Sequence, residues 1–206
     1  MSEVEQSAYK YIALTGNVTV QLVVNLNKLH KQSEMTEIGK PNILITGTPG
    51  AGKSYLCQRL AEQLKFTWLD CSKIAKEKNF IEEYDEEYDC PILDEDKLMD
   101  YLEPLMTKGG NIVEYHGCDF FPERWFHAVF VVTCPNKTLY DRLKERNYNE
   151  KKLTSNIQCE IFGTILEEAR ESYKSGIVYE LKGETKADGE RSLKTVRNWY
   201  SMWKRK

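Results

Sequence analysis

The sequence predicts an α/β fold: a parallel five-stranded sheet with helices on both faces. Three observations carry this prediction. Strand-length apolar runs alternate with helix-length segments from Pro41 onward. The runs are continuously apolar rather than alternating, as in strands buried on both faces. A glycine-rich loop joins the first such strand to the first such helix.

Taken in order, Asn42-Ile43-Leu44-Ile45-Thr46 suits a buried parallel strand. Residues 47–54 read Gly-Thr-Pro-Gly-Ala-Gly-Lys-Ser and match G-x-x-x-x-G-K-[ST], the phosphate-cradling P-loop. Gly47, Gly50 and Gly52 let the backbone approach a bulky anion, and its N–H groups form a nest for phosphate oxygens. Lys53 brings a mobile positive charge, and Ser54 a hydroxyl suited to Mg²⁺. Leu56, Leu60 and Leu64 then recur every four residues, as on the buried face of a helix.

Phe66–Leu69 reads as the second strand, and Ser72–Lys78 as a short helix. Residues 79–93 read as an irregular acidic loop. Asp94–Lys108 is a helix with acids at its start and Gly109-Gly110 as its stop. Leu98, Leu102 and Leu105 line its inner face. Asn111–Tyr115 is the third strand, and Val129–Thr133, ended by Cys134-Pro135, is the fourth. Thr138–Arg146 is the next helix. Ser155-Asn156-Ile157-Gln158 fits a capping box opening another, in which Ile157, Ile161 and Ile165 keep helical spacing. Ile177–Leu181 is the fifth strand, and 190–203 a closing helix with Trp199 and Trp203 facing the core.

Residues 1–39 stand apart as an amino-terminal extension to a P-loop domain over 40–206. Val18, Val20, Leu22, Val24 and Leu26 alternate as in a strand, and Met35 marks a possible start for a shorter product.

Composition narrows the function classes. A chain of 206 residues with 41% apolar content fits one globular domain, and a net charge of −3 gives no whole-chain attraction to nucleic acid. Six cysteines without a C-x-x-C pair, and only three histidines, argue against a zinc site. The thiols are expected to be reduced, in the nucleus or cytoplasm. No run approaches the roughly 18–20 apolar residues of a membrane span.

An acid at a strand's carboxyl end, facing a P-loop, orders Mg²⁺ or its waters, and Glu114 holds that place. His116 follows two residues later. It is a candidate to order a water or act as a general base, and equally a hydrogen-bonded loop histidine. Arg124, Arg142 and Arg146 are candidates to stabilise a transferring phosphoryl group, the last two sharing a helix face, and equally surface ion pairs. Residues 82–103 hold eleven acids against Lys97 alone, which reads as a solvated face.

Four stretches carry a family resemblance. They are Pro41 through the P-loop, Glu82–Asp96 with Tyr-Asp-Glu-Glu-Tyr-Asp-Cys-Pro-Ile-Leu-Asp-Glu-Asp, Tyr115–Phe126, and Tyr148–Phe162. Over about 41–203 the chain resembles the adenylate kinase isoenzyme 6 family, small nuclear adenylate kinases that also act in ribosome assembly. The resemblance implies the reaction ATP + AMP ⇌ 2 ADP with Mg²⁺. It implies ATP at Gly50, Gly52, Lys53, Ser54 and Tyr55, with Arg146 touching it. It implies a nucleoside monophosphate region over 70–93 and a short lid over 145–155. It further implies ATP hydrolysis linked to Glu114 and His116, and a small-subunit ribosomal protein and pre-ribosome as partners of a monomer or transient complex. A basic partner of that kind would suit the acidic run 82–103. Glu114 stands where the family usually has Asp, Lys76 where Arg is expected, and Tyr55 where threonine is usual. Lysine cannot grip a phosphate bidentately, which bears on AMP affinity.

Overall fold

The computed structural model describes residues 39–205, and the fold occupies Lys40 onward. The expectations for the amino-terminal extension, the strand over 18–26 and the start at Met35, fall outside the described residues.

Five strands form the sheet: β1 (Ile43–Thr46), β2 (Thr67–Asp70), β5 (Asn111–Glu114), β6 (Ala128–Thr133) and β7 (Val178–Lys182). Their spatial order is β2-β5-β1-β6-β7, and every pairing is parallel. From β1 the chain crosses to the edge strand β2, returns to β5 between β2 and β1, and then passes to β6 and β7 on the other side. The order therefore reverses beside β1, and the carboxyl ends of β1 and β5 open there into a crevice.

The period-2 alternation of a strand divides the core into two layers. Ile43 and Ile45 face one layer, with Leu56 and Leu60 of α1 (Lys53–Leu64) and Leu193 and Val196 of α7 (Lys186–Trp203). Leu44 and Val113 face the other, with Leu98 and Leu102 of α3 (Glu95–Lys108) and Ala169 of α6 (Thr164–Ser172). Burial on both faces is why these strands read as unbroken apolar runs. Trp199 and Trp203 pack against the first layer, as their spacing predicts.

Four elements differ from expectation. Residues 79–93 are not an irregular loop. They follow α2 (Cys71–Lys78) as an antiparallel hairpin of β3 (Ile81–Asp85) and β4 (Cys90–Leu93). Acids disfavour strands, which hid it. The turn is built by Asp85, whose carboxylate accepts from the N–H groups of Glu87 and Tyr88, both at 2.9 Å.

Second, the helix expected to open at Ser155 begins five residues earlier. The helix α5 (Glu150–Phe162) is capped by Asn149, whose side chain accepts from Lys152 N–H at 2.8 Å. Only a short link separates it from α4 (Asn136–Glu145), so half of the expected lid is helix.

Third, Gly163 (φ 64°) ends α5 and begins α6, interrupting the isoleucine stripe. Ile157 packs on one core layer and Ile165 on the other, while Ile161 is 56% exposed. The closing helix also starts earlier than expected, at Lys186. Thr185 and Asp188 form its capping box.

Candidate functional site

The loop between β1 and α1 forms because its residues tolerate what others would not. Gly47 has φ 134°, and a Cβ there would lie 2.3 Å from the Val132 carbonyl oxygen. Gly52 caps α1 without any side-chain cap, leaving the first-turn N–H groups for another acceptor. Lys53 opens the helix and folds back over the loop. Its Nζ donates to the carbonyls of Gly47 (2.5 Å) and Thr48 (3.2 Å). Burial, partly offset by Glu114, pulls its ammonium from 10.5 down to about 8.

Two side chains brace the loop from outside. Thr48 donates to Glu160 Oε2 (2.5 Å), while Glu160 Oε1 accepts from Cys134 N–H (2.7 Å). Arg142 donates to the carbonyls of Gly50 (2.9 Å), Gly183 (2.9 Å) and Glu184 (2.5 Å). Gly183 is needed at that junction, since a Cβ would meet the Ala51 carbonyl at 2.0 Å.

Facing the loop, β5 ends in Glu114, buried at 6% exposure. Its carboxylate accepts from Ser54 Oγ (2.6 Å) and from Trp68 Nε1 (2.9 Å). His116 stands two residues on in the same cleft. The surrounding protein, then the positive charges of Lys53 and Lys152, push its imidazole from 6.5 down to about 4. Water still reaches the ring along the cleft, which softens the effect of burial without reversing it. The imidazole is neutral at pH 7.

These groups floor a cleft of about 820 Å³. It runs from the phosphate loop to α2 and the hairpin, where Asp70, Ser72, Lys76 and Tyr88 form the far wall. Lys152 and Asn156 reach in from α5. The mouth is bridged. Lys151 pairs with Glu87, Lys152 Nζ donates to the Asp89 carbonyl (2.9 Å), and Asn149 donates to the Glu87 carbonyl (3.2 Å). A smaller cavity of about 370 Å³ adjoins Gly50, Tyr55 and Arg146, walled by Gly183, Thr185 and Ser192.

Gly50, Gly52, Lys53, Ser54, Tyr55, Glu114, His116 and Arg146 thus share one cleft. Two expected members do not join them. Arg124 donates to both oxygens of Glu103, at 3.0 Å each, on the exposed side of α3. Glu103 also binds Trp125 Nε1 (2.8 Å), so this carboxylate anchors the turn containing Arg124 away from the cleft. Arg142 spends its donors on three backbone carbonyls, so its guanidinium braces the loop. The helix ends at Glu145, and Arg146 continues into the cleft without it. Sequence reasoning missed Trp68, Glu160 and Lys152. Trp68 lies in no motif, Lys152 and Glu160 lie within Tyr148–Phe162 with no role assigned there, and only the topology shows what each touches.

A family model described as AAA domain matches residues 43–163. The chain is 87% identical over 167 residues to the adenylate kinase isoenzyme 6 homolog of Drosophila melanogaster, covering 81% of this chain and 95% of that protein. It is 52% identical over 159 residues to the homolog of Caenorhabditis elegans, covering 76% and 87%. Among solved structures, shikimate kinase from Acinetobacter baumannii in complex with shikimate is similar in fold. Its TM-score is 0.53 at 17% identity, over 79% of this chain and 94% of that one. This P-loop kinase fold, the family model and relatives of this identity agree: the chain belongs to the adenylate kinase isoenzyme 6 family.

Proposed function

We propose that this protein is an adenylate kinase, catalysing ATP + AMP ⇌ 2 ADP. The observation that carries the reading is a single cleft running from the phosphate loop to α2, with Lys53 between its ends. A cavity of about 820 Å³ suits two nucleotides end to end. ATP would lie with its phosphates on the loop N–H groups and Lys53, and its base toward the smaller cavity beside Tyr55 and Arg146. The monophosphate would lie toward Asp70, Ser72 and Lys76.

The donor set fits Mg²⁺ with the triphosphate. Ser54 offers a hydroxyl, and Glu114 a carboxylate with acceptor capacity left after its two hydrogen bonds. Bound there, Mg²⁺ would supply charge neutralisation at the transferring phosphoryl group. The protein's own part is positioning. Lys53 and Arg146 would hold negative charge, Arg142 fixes the loop, and closure of the hairpin and α5 over bound nucleotides would exclude water.

Water exclusion separates this reading from its rival, an ATPase that binds and releases a small-subunit ribosomal protein in the nucleus or cytoplasm. Two observations favour the rival. A neutral His116 inside the cleft can orient a water, although its lowered basicity makes it a weak proton acceptor. The acids Glu82, Glu83 and Glu86 are exposed on the hairpin and would suit a basic partner. Separating the products of Mg²⁺-ATP turnover, with and without AMP, tests the choice. AMP consumed into ADP, and lost in Lys53→Ala, supports the kinase. ADP plus free phosphate, indifferent to AMP, overturns it in favour of the ATPase.

A further inference from the structure

We infer that Trp68 is a positioning residue, whose indole N–H fixes the Glu114 carboxylate toward a divalent cation held with nucleotide phosphates. The inference rests on the nucleotide-kinase reading above.

The argument begins with sheet register. Trp68 on β2 pairs with Ile112 on β5, and Asp70 pairs with Glu114. Trp68 and Glu114 are therefore diagonal neighbours on one face of the sheet, within reach of two long side chains. The indole ring packs against the core layer beneath α1, the helix that begins with Lys53 and Ser54. From there its Nε1 meets Glu114 Oε2 at 2.9 Å, while Ser54 Oγ meets Oε1 at 2.6 Å.

The chemistry of the donors is unequal. An indole N–H donates only, and it sits on a rigid ring held by packing. A serine hydroxyl rotates and both donates and accepts. When a cation claims the Ser54 oxygen, the Ser54–Glu114 bond is the one that rearranges. The Trp68–Glu114 bond is the fixed one.

A glutamate needs that anchor more than an aspartate would. It has one more rotatable bond, and its carboxylate has more positions to occupy. With one oxygen held by the indole, the other stays beside Ser54, and both keep lone pairs for a cation or its waters. Supporting groups of this kind typically tune metal affinity without touching the metal.

The test compares ADP binding in Mg²⁺ with ADP binding in a chelator, by calorimetry, in four proteins: wild type, Trp68→Phe, Glu114→Asp and the double variant. Phe keeps an apolar ring and deletes the N–H. In wild type, Mg²⁺ tightens ADP binding. In Trp68→Phe that Mg²⁺-dependent gain falls about tenfold, the size of one lost hydrogen bond to a charged group. Binding in chelator stays within about twofold, since Trp68 is not a nucleotide contact. In the Glu114→Asp background, where the shorter side chain has left the indole's reach, Trp68→Phe changes the gain by less than about twofold.

A structural role alone predicts equal losses with and without Mg²⁺, and equal effects in both backgrounds. Either result overturns the proposal. Wild-type binding that ignores Mg²⁺ overturns the underlying kinase reading as well. A wild-type measurement covers the case in which Trp68→Phe does not fold. The Trp68 indole N–H proton resonance should shift on adding Mg²⁺ to the ADP complex. An unmoved resonance overturns the proposal.

Discussion

Lys53 is a buried cation, and removing its charge should stabilise the fold. Lys53→Met keeps a long apolar side chain and deletes the ammonium. The fall from 10.5 to about 8 corresponds to about 3 kcal/mol disfavouring the charged form. Against that, the buried Gly47 carbonyl loses the Lys53 donor, at about 1–2 kcal/mol, while the Thr48 carbonyl keeps the Ala51 N–H. The net expectation at pH 7 is a gain of about 1–2 kcal/mol, or a Tm higher by about 2–8 °C for a domain of this size. The sign can be followed through pH. The folded-state pKa lies below the unfolded one, so the folded protein binds fewer protons between about 8 and 10.5. The wild-type penalty is complete below pH 8 and vanishes as pH rises toward 10.5. Thermal melts of both proteins in the absence of nucleotide, from pH 6 to 10, read this directly. A variant that melts lower than wild type at pH 7, or a gap that does not close with rising pH, refutes the reasoning.

Further outcomes follow from the same geometry. His116 has a folded-state pKa below its ordinary 6.5, so its contribution to stability is present above 6.5 and lost as pH falls toward 4. His116→Gln should therefore flatten the acid side of the stability profile, seen in melts between pH 7 and 4. Arg142→Ala should cost about 2 kcal/mol or more and weaken ATP binding, because three carbonyls lose one donor group; denaturant titration and calorimetry check both. Gly183→Ala should destabilise strongly, since its Cβ falls 2.0 Å from the Ala51 carbonyl, and a lowered Tm would report it. Lys151→Glu should raise the Michaelis constant for the monophosphate by opening the bridged mouth. Adding Glu87→Lys should restore it by reversing the pair.

The sequence displayed some of this because certain residue patterns have one physical use. Gly47 through Ser54 fixed the loop, and the apolar runs at 43–46 and 128–133 announced a sheet covered on both faces. Other features depended on pairing partners far along the chain. Trp68 gains meaning only when β2 lies beside β5, and Glu160 only when α5 crosses the loop. The hairpin was hidden because Glu82, Glu83 and Asp85 favour loops, yet Asp85 builds the turn that lets the strands pair. Two of the three candidate arginines sit elsewhere for a different reason. Arg124 and Arg142 have the right chemistry for phosphate, but Glu103 and three backbone carbonyls claim them first.

The central claim is that one cleft holds two nucleotides with Lys53 between them. Calorimetry with a bisubstrate compound, two adenosines joined by five phosphates, tests it most directly. The account predicts one molecule bound per chain, more tightly than ATP, displaced by either ATP or AMP, and weakened by Lys76→Ala as well as by Lys53→Ala. Binding no tighter than ATP, indifferent to AMP and to Lys76, would contradict it and leave a single-nucleotide site.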